Sequence, residues 1–130
     1  MDKKYSVLLV DDDKFLLEMY RKKFEQDGGA VDVALGSEEA LSKLRNGAKP
    51  DILILDIIMP AMDGLELLST IRNENLSPNS VVIMLTNESD KAKIEKAKTL
   101  GIRGYIVKAT SIPSEVVAEA IKIANLENKS

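Results

Sequence analysis

Five short aliphatic runs, each separated from the next by a longer stretch of helical period, constrain this chain more than any other feature. The runs are Ser6 to Val10, Val31 to Leu35, Ile52 to Asp56, Val81 to Thr86 and Gly104 to Lys108. Such alternation is the pattern of repeated βα units, which fold as a parallel sheet covered by helices. Three of the runs are almost continuously apolar, as strands buried on both faces are. In the second run Val31, Val33 and Leu35 alternate with Asp32 and Ala34, which suits a strand exposed on one side, so it is placed at the sheet edge. Right-handed crossovers between parallel strands then give an open doubly wound α/β sheet. A chain of 130 residues is the size of one domain, and 1–130 is expected to be a single unit.

The helical stretches carry their own boundaries. Leu16, Met19 or Tyr20, and Phe24 recur at helical spacing, Asp13 precedes them as an N-cap, and Asp27-Gly28-Gly29 closes the stretch. Ser37 is expected to cap the second helix, with Glu38 and Glu39 in its first turn, Ala40, Leu41 and Leu44 inward, and Asn46-Gly47 as the stop. A third helix is expected from about Leu65 to Arg72 with Leu68 and Ile71 inward, and a fourth from about Lys91 to Leu100. The fifth, from Pro113 to Leu126, has Val116, Val117, Ala120, Ile121 and Ala124 as its apolar stripe.

Composition removes several kinds of chemistry. With no Cys and no His there is no thiol nucleophile, disulfide, imidazole base or imidazole ligand, so carboxylates, hydroxyls or Lys must do the work. A formal net charge of -3 argues against direct binding to DNA or RNA, which needs a basic stripe to neutralise phosphates. Near the N-terminus, Lys3-Lys4 is followed only by Val7-Leu8-Leu9-Val10 before three acids. That run is too short for a signal-peptide core or a membrane span, and a cytoplasmic protein is expected.

Ligands of doubly wound sheets bind beyond the carboxyl ends of the strands, so residues at those ends matter most. Here they are Asp11-Asp12-Asp13, Asp56, Thr86 and Lys108, which should converge on one face. Two carboxylates about 4 Å apart repel by roughly 4 kcal/mol at an effective dielectric near 20, so the cluster calls for a cation. All-oxygen donors with room for water and a phosphoryl oxygen select Mg²⁺, with Mn²⁺ able to substitute. Lys108 adds a fixed positive charge and Thr86 a hydroxyl, the groups that hold the equatorial oxygens of a transferring phosphoryl group. Taken singly, the three acids could be a solvated turn, Thr86 a strand end and Lys108 a surface lysine. Their joint placement favours a phosphoryl-transfer site.

These residues resemble the receiver domains of two-component response regulators, a family whose best-known single-domain member is the bacterial chemotaxis regulator. The resemblance covers essentially the whole chain. Val10-Asp11-Asp12 is similar to the family's acidic pair, Asp56 with Met59-Pro60 and Met62-Asp63-Gly64 to its phosphoacceptor loop, Thr86 to its switch hydroxyl, and Gly104-Tyr105 with Lys108 to its fifth strand. The resemblance implies a flavodoxin-like (βα)5 sandwich with strand order 2-1-3-4-5. It implies Asp56 as nucleophile and phosphoacceptor, Asp12 as a direct Mg²⁺ ligand, Asp11 assisting through water, and the Ile58 backbone carbonyl as a further ligand. Thr86, Asn87 and Lys108 would hold the phosphoryl group, Thr86 and Tyr105 would form the switch, and Ile58 and Glu88 would tune hydrolysis.

The implied partners are a sensor histidine kinase or a histidine phosphotransfer protein, and an output protein that reads the fourth helix, fifth strand and fifth helix. Because the chain has no His, it cannot supply the phosphohistidine itself. The sequence ends at Ser130 soon after the fifth helix, so output by protein contact rather than through an effector domain is the expectation. Glu115, Glu119 and Lys122 replace an Arg-rich face on that helix, which fits a monomer or a weak phosphorylation-dependent dimer.

Three positions depart from the family pattern. Ala109 follows Lys108 where the family usually has a cis proline; since a non-proline cis bond costs about 2.5 to 4 kcal/mol, a trans bond and a rearranged loop from Ala109 to Ile112 are expected. Asn87 stands where the family has a very small residue. Ile58, two residues past the acceptor, is apolar and should hinder an attacking water, which predicts a comparatively long-lived aspartyl phosphate. A haloacid-dehalogenase-type phosphatase would need a second catalytic Asp where Ile58 stands, and a flavodoxin would need a phosphate-binding loop where the three acids lie. A phosphorylation-independent pseudo-receiver acting as an interaction module is the stronger alternative.

Overall fold

Alternation along the strands builds two apolar layers, one on each side of a five-stranded parallel sheet in the order β2-β1-β3-β4-β5. A computed structural model describes residues 5–86, 91–108 and 111–128, with side chains described as far as residue 125. The strands are β1 (Ser6–Asp11), β2 (Ala30–Leu35), β3 (Ile52–Asp56), β4 (Val81–Thr86) and β5 (Gly104–Val107). The helices are α1 (Lys14–Gln26), α2 (Ser37–Arg45), α3 (Gly64–Asn73), α4 (Lys91–Thr99) and α5 (Pro113–Asn128). This is the doubly wound, flavodoxin-like (βα)5 arrangement, with β2 at one edge and β5 at the other.

Successive strand residues point to opposite faces, and the two cores follow that parity. On one side Val7, Leu9, Ile52, Ile54, Ile83, Leu85 and Ile106 pack with Leu17, Tyr20 and Phe24 of α1 and Val116, Val117, Ala120 and Ala124 of α5. On the other, Leu8, Val10, Leu53, Leu55, Val82 and Met84 pack with Ala40, Leu41 and Leu44 of α2, Leu67, Leu68 and Ile71 of α3, and Ala97 of α4. Burying one such aliphatic side chain contributes about 1.5 to 3 kcal/mol, so the sheet supplies most of the driving force. Phe24 is fully enclosed and meets Tyr5 edge to face, with ring centroids 6.3 Å apart.

The helix starts explain the loop directions. Asp13 accepts hydrogen bonds from the backbone N–H groups of Phe15 at 3.0 Å and Leu16 at 3.1 Å, which caps α1. Asp63 and Glu66 form a reciprocal capping box at α3. Gly64 is required there, because a Cβ would lie 2.2 Å from the Asp56 carbonyl oxygen.

Four expectations need correction. Ser37 does not cap α2: Gly36, at φ +91°, holds the N-cap position, and Ser37 is the first helical residue. Its hydroxyl donates instead to Met62 O at 2.7 Å, a bond made across 25 residues. On α1 it is Leu17, not Leu16, that is fully buried alongside Tyr20 and Phe24. β5 ends at Val107, so Lys108 lies just beyond the strand. β1 runs one residue further than expected and carries Asp11 within the sheet.

Candidate phosphoryl and metal site

Parity carries charged residues into the mouth of the sheet. Val7, Leu9 and Asp11 share one face of β1, Ile52, Ile54 and Asp56 share the same face of β3, and Lys108 continues the Ile106 side of β5. Asp11 and Asp56 are therefore buried, at 3% and 4% exposure, while Asp12, just past the end of β1, is exposed. Each of Asp11, Asp12 and Asp56 offers a carboxylate oxygen, and these oxygens lie within 4.8 Å of one another. Three hard anionic donors at this spacing, in a sequence with neither His nor Cys, fit Mg²⁺. These three residues form an acidic cluster that could hold a divalent cation.

Lys108 reaches into the cluster from the far side of the sheet. Its Nζ donates to Asp11 Oδ2 at 2.7 Å and stands 3.3 Å from Asp56 Oδ1. Asp11 Oδ1 accepts the Asp13 N–H at 3.0 Å, so both oxygens of this carboxylate are engaged. Burial pushes the Asp56 carboxyl up to about 6; the Asp11 charge adds to that, and Lys108 opposes it. Burial alone would lower the Lys108 ammonium, but its hydrogen bond to Asp11 and the charges of Asp56 and Asp11 outweigh that, and it lies above its ordinary value.

Thr86 sits at the end of β4 and is 2% exposed. On β5, Tyr105 pairs in register with Met84 and so shares the sheet face of Thr86, on the neighbouring strand. Tyr105 is 42% exposed. Ile58, two residues past Asp56 on the β3–α3 loop, is 54% exposed. Asn87, Glu88 and the Lys108–Ala109 bond lie outside the described residues.

One buried participant had no signal in the sequence pattern. Tyr20, from α1, lies within electrostatic range of Lys108, Asp11 and Asp56. As one of two alternatives for an apolar helix position, it gave no sign of lying so close to the charged cluster. The Lys108 pairing with Asp11 rather than primarily with Asp56 was equally invisible, because it depends on the relative reach of residues 97 apart.

A doubly wound parallel sheet with carboxylates and a lysine gathered at its carboxyl edge defines an α/β domain with a buried charged site at that edge. Residues 7–121 match the response regulator receiver domain, and the chain belongs to that family, the receiver domains of two-component signal transduction. It is 34% identical over 108 residues to the chemotaxis protein CheY of Halobacterium salinarum, covering 83% of this chain and 88% of that protein. It is 35% identical over 111 residues to the transcriptional regulatory protein ResD of Bacillus subtilis, covering 85% of this chain but 44% of that regulator. Among solved structures, the chemotaxis protein CheY4 of Vibrio cholerae superposes with a TM-score of 0.82 at 29% identity, over 91% of this chain and 97% of that one. Among the described residues, no helix is long and apolar enough to cross a membrane.

Proposed function

We propose that Asp56 is the phosphoacceptor of a two-component phosphorelay, receiving a phosphoryl group from a phosphohistidine on a sensor histidine kinase or histidine phosphotransfer protein. The observation that carries this reading is the gathering of Asp11, Asp12 and Asp56 around one point with Lys108 Nζ 3.3 Å from Asp56. Asp56 attacks phosphorus through a carboxylate oxygen, the P–N bond breaks, and the imidazole departs on the partner. Lys108 holds a phosphoryl oxygen and offsets the charge it brings. Thr86 offers its hydroxyl to a second oxygen, with Asn87 beside it. Asp12, Asp56 and the Ile58 carbonyl, with Asp11 through water, would hold Mg²⁺ or Mn²⁺, which when bound supplies charge neutralisation at the phosphoryl oxygens.

Phosphorylation adds roughly two negative charges at Asp56. Drawing Thr86 toward them opens space on its own sheet face, into which the ring of the half-exposed Tyr105 can turn. The surface that responds is α4, β5 and α5, where an output protein binds. We place the protein in the cytoplasm, as a monomer or a weak phosphorylation-dependent dimer. Incubation with phosphoramidate and Mg²⁺, followed by intact mass, tests the reading: one phosphoryl group is expected on the wild type and none on Asp56→Asn. No gain, or an equal gain in both, would favour a pseudo-receiver that works only as an interaction module.

A further inference from the structure

Among the buried polar side chains Asp11, Asp56 and Thr86 belong to the site, and Ser80 donates to Pro50 O near the opposite end of the sheet. Ser37 remains, 6% exposed and without a capping role on its own helix. Its hydroxyl donates to the carbonyl of Met62, in the loop that leads away from Asp56.

That loop is tightly closed and locally strained. Gly64 N–H donates to Ile57 O at 2.7 Å, joining its two ends. Met62 N–H donates to Pro60 O at 2.7 Å, a three-residue turn centred on Ala61, whose φ is +67°. Turns of this hand are rare, because the Cβ of an L-residue crowds the backbone when φ is positive. Held conformations of this kind persist only where the surroundings over-determine them. Both backbone polar groups of Met62 are committed, the N–H to Pro60 and the carbonyl to Ser37, so Ser37 ties this turn to an element outside the loop.

We propose that Ser37 is a positioning residue for the Asp56 loop, its bond to Met62 O holding Ala61 in the left-handed conformation and so keeping the Ile58 backbone at the mouth of the carboxylate cluster. This rests on the reading of the Ile58 carbonyl as a cation ligand. Its signature is a change in cation affinity rather than in the phosphoryl chemistry.

Ser37→Ala is the direct test, and it preserves the helix because Ala is the better helix former. Loss of one neutral hydrogen bond corresponds to roughly a fivefold effect. Calorimetric titration with Mg²⁺ should show binding weaker by about that factor. The Mg²⁺ concentration for half-maximal phosphorylation by phosphoramidate should rise in step while the rate at saturating Mg²⁺ stays unchanged. Amide exchange at Met62 and Gly64 should quicken in metal-free protein. Adding Ala61→Gly to Ser37→Ala should recover the affinity, since Gly adopts positive φ without the steric cost. Unaltered Mg²⁺ affinity or unaltered exchange in Ser37→Ala, or a loss that Ala61→Gly does not repair, overturns the proposal. If the wild type binds no Mg²⁺, the cation reading itself falls, and unaltered exchange at Met62 and Gly64 still counts against the latch.

Discussion

Lys108 makes its shorter bond to Asp11, at 2.7 Å, and stands 3.3 Å from Asp56. Both acids and the lysine are nearly enclosed, so the ammonium is the internal counter-ion of the cluster. In the proposed function, a cation held by Asp11, Asp12 and Asp56 would compete with it for the same oxygens, and a lysine released from Asp11 would be free to turn to a phosphoryl group on Asp56.

Lys108→Ala should therefore separate metal binding from chemistry. Without the ammonium the carboxylates attract Mg²⁺ more strongly, so calorimetry should give a lower Kd than the wild type. Metal-free stability at pH 7.5 should fall by about 3 to 5 kcal/mol, because removing one partner leaves buried acids uncompensated. Phosphoryl incorporation should drop by about 10²- to 10³-fold, the cost of one electrostatic stabiliser. Unchanged incorporation would remove Lys108 from the reaction.

The Asp56 carboxyl, raised to about 6 chiefly by burial, makes a second prediction. Its folded value lies above its unfolded one, so the native state binds the proton more tightly. The associated stability is fully present below about pH 4 and is lost as pH rises through about 6. At pH 7.5 without metal, the charged Asp56 should cost on the order of 2 to 3 kcal/mol. Asp56→Asn should then be more stable than wild type in urea at pH 7.5, and the difference should vanish near pH 4. A constant difference across that range would contradict the assignment.

In the proposed function, Ile58 would bear on the lifetime of the phosphoryl group. Its exposed aliphatic side chain, two residues past Asp56, offers an incoming water no hydrogen-bond partner. Ile58→Asn should lose the phosphoryl group several-fold faster, followed by intact mass after removal of the donor. Faster loss from the wild type would sink this account.

At the far end of α4, Arg72 donates to Leu100 O at 2.8 Å and to Gly101 O at 3.3 Å. α4 buries only Ile94 and Ala97, so this guanidinium is a large part of its anchorage. Arg72→Leu should cost about 1 to 3 kcal/mol in urea unfolding, from two carbonyls left without their donor. Hydrogen exchange along α4 should quicken while β3 stays protected.

Much of this was legible in the residues alone. Five apolar runs with helical stretches between them fixed the architecture, and the mixed character of Val31 to Leu35 pointed to the edge strand, although within it Ala34 is buried and Leu35 is 48% exposed. The strand-end positions of Asp11, Asp12, Asp56, Thr86 and Lys108 pointed to one edge of the sheet. The acids at 11, 12 and 56 and the lysine are brought together there. Tertiary structure alone decided that Lys108 leans on Asp11, that Ser37 abandons its helix cap for Met62, and that Ala61 is held at positive φ. Each of these depends on which groups meet across tens of residues, and local propensity carries no information about a partner that the chain reaches only after the sheet has closed.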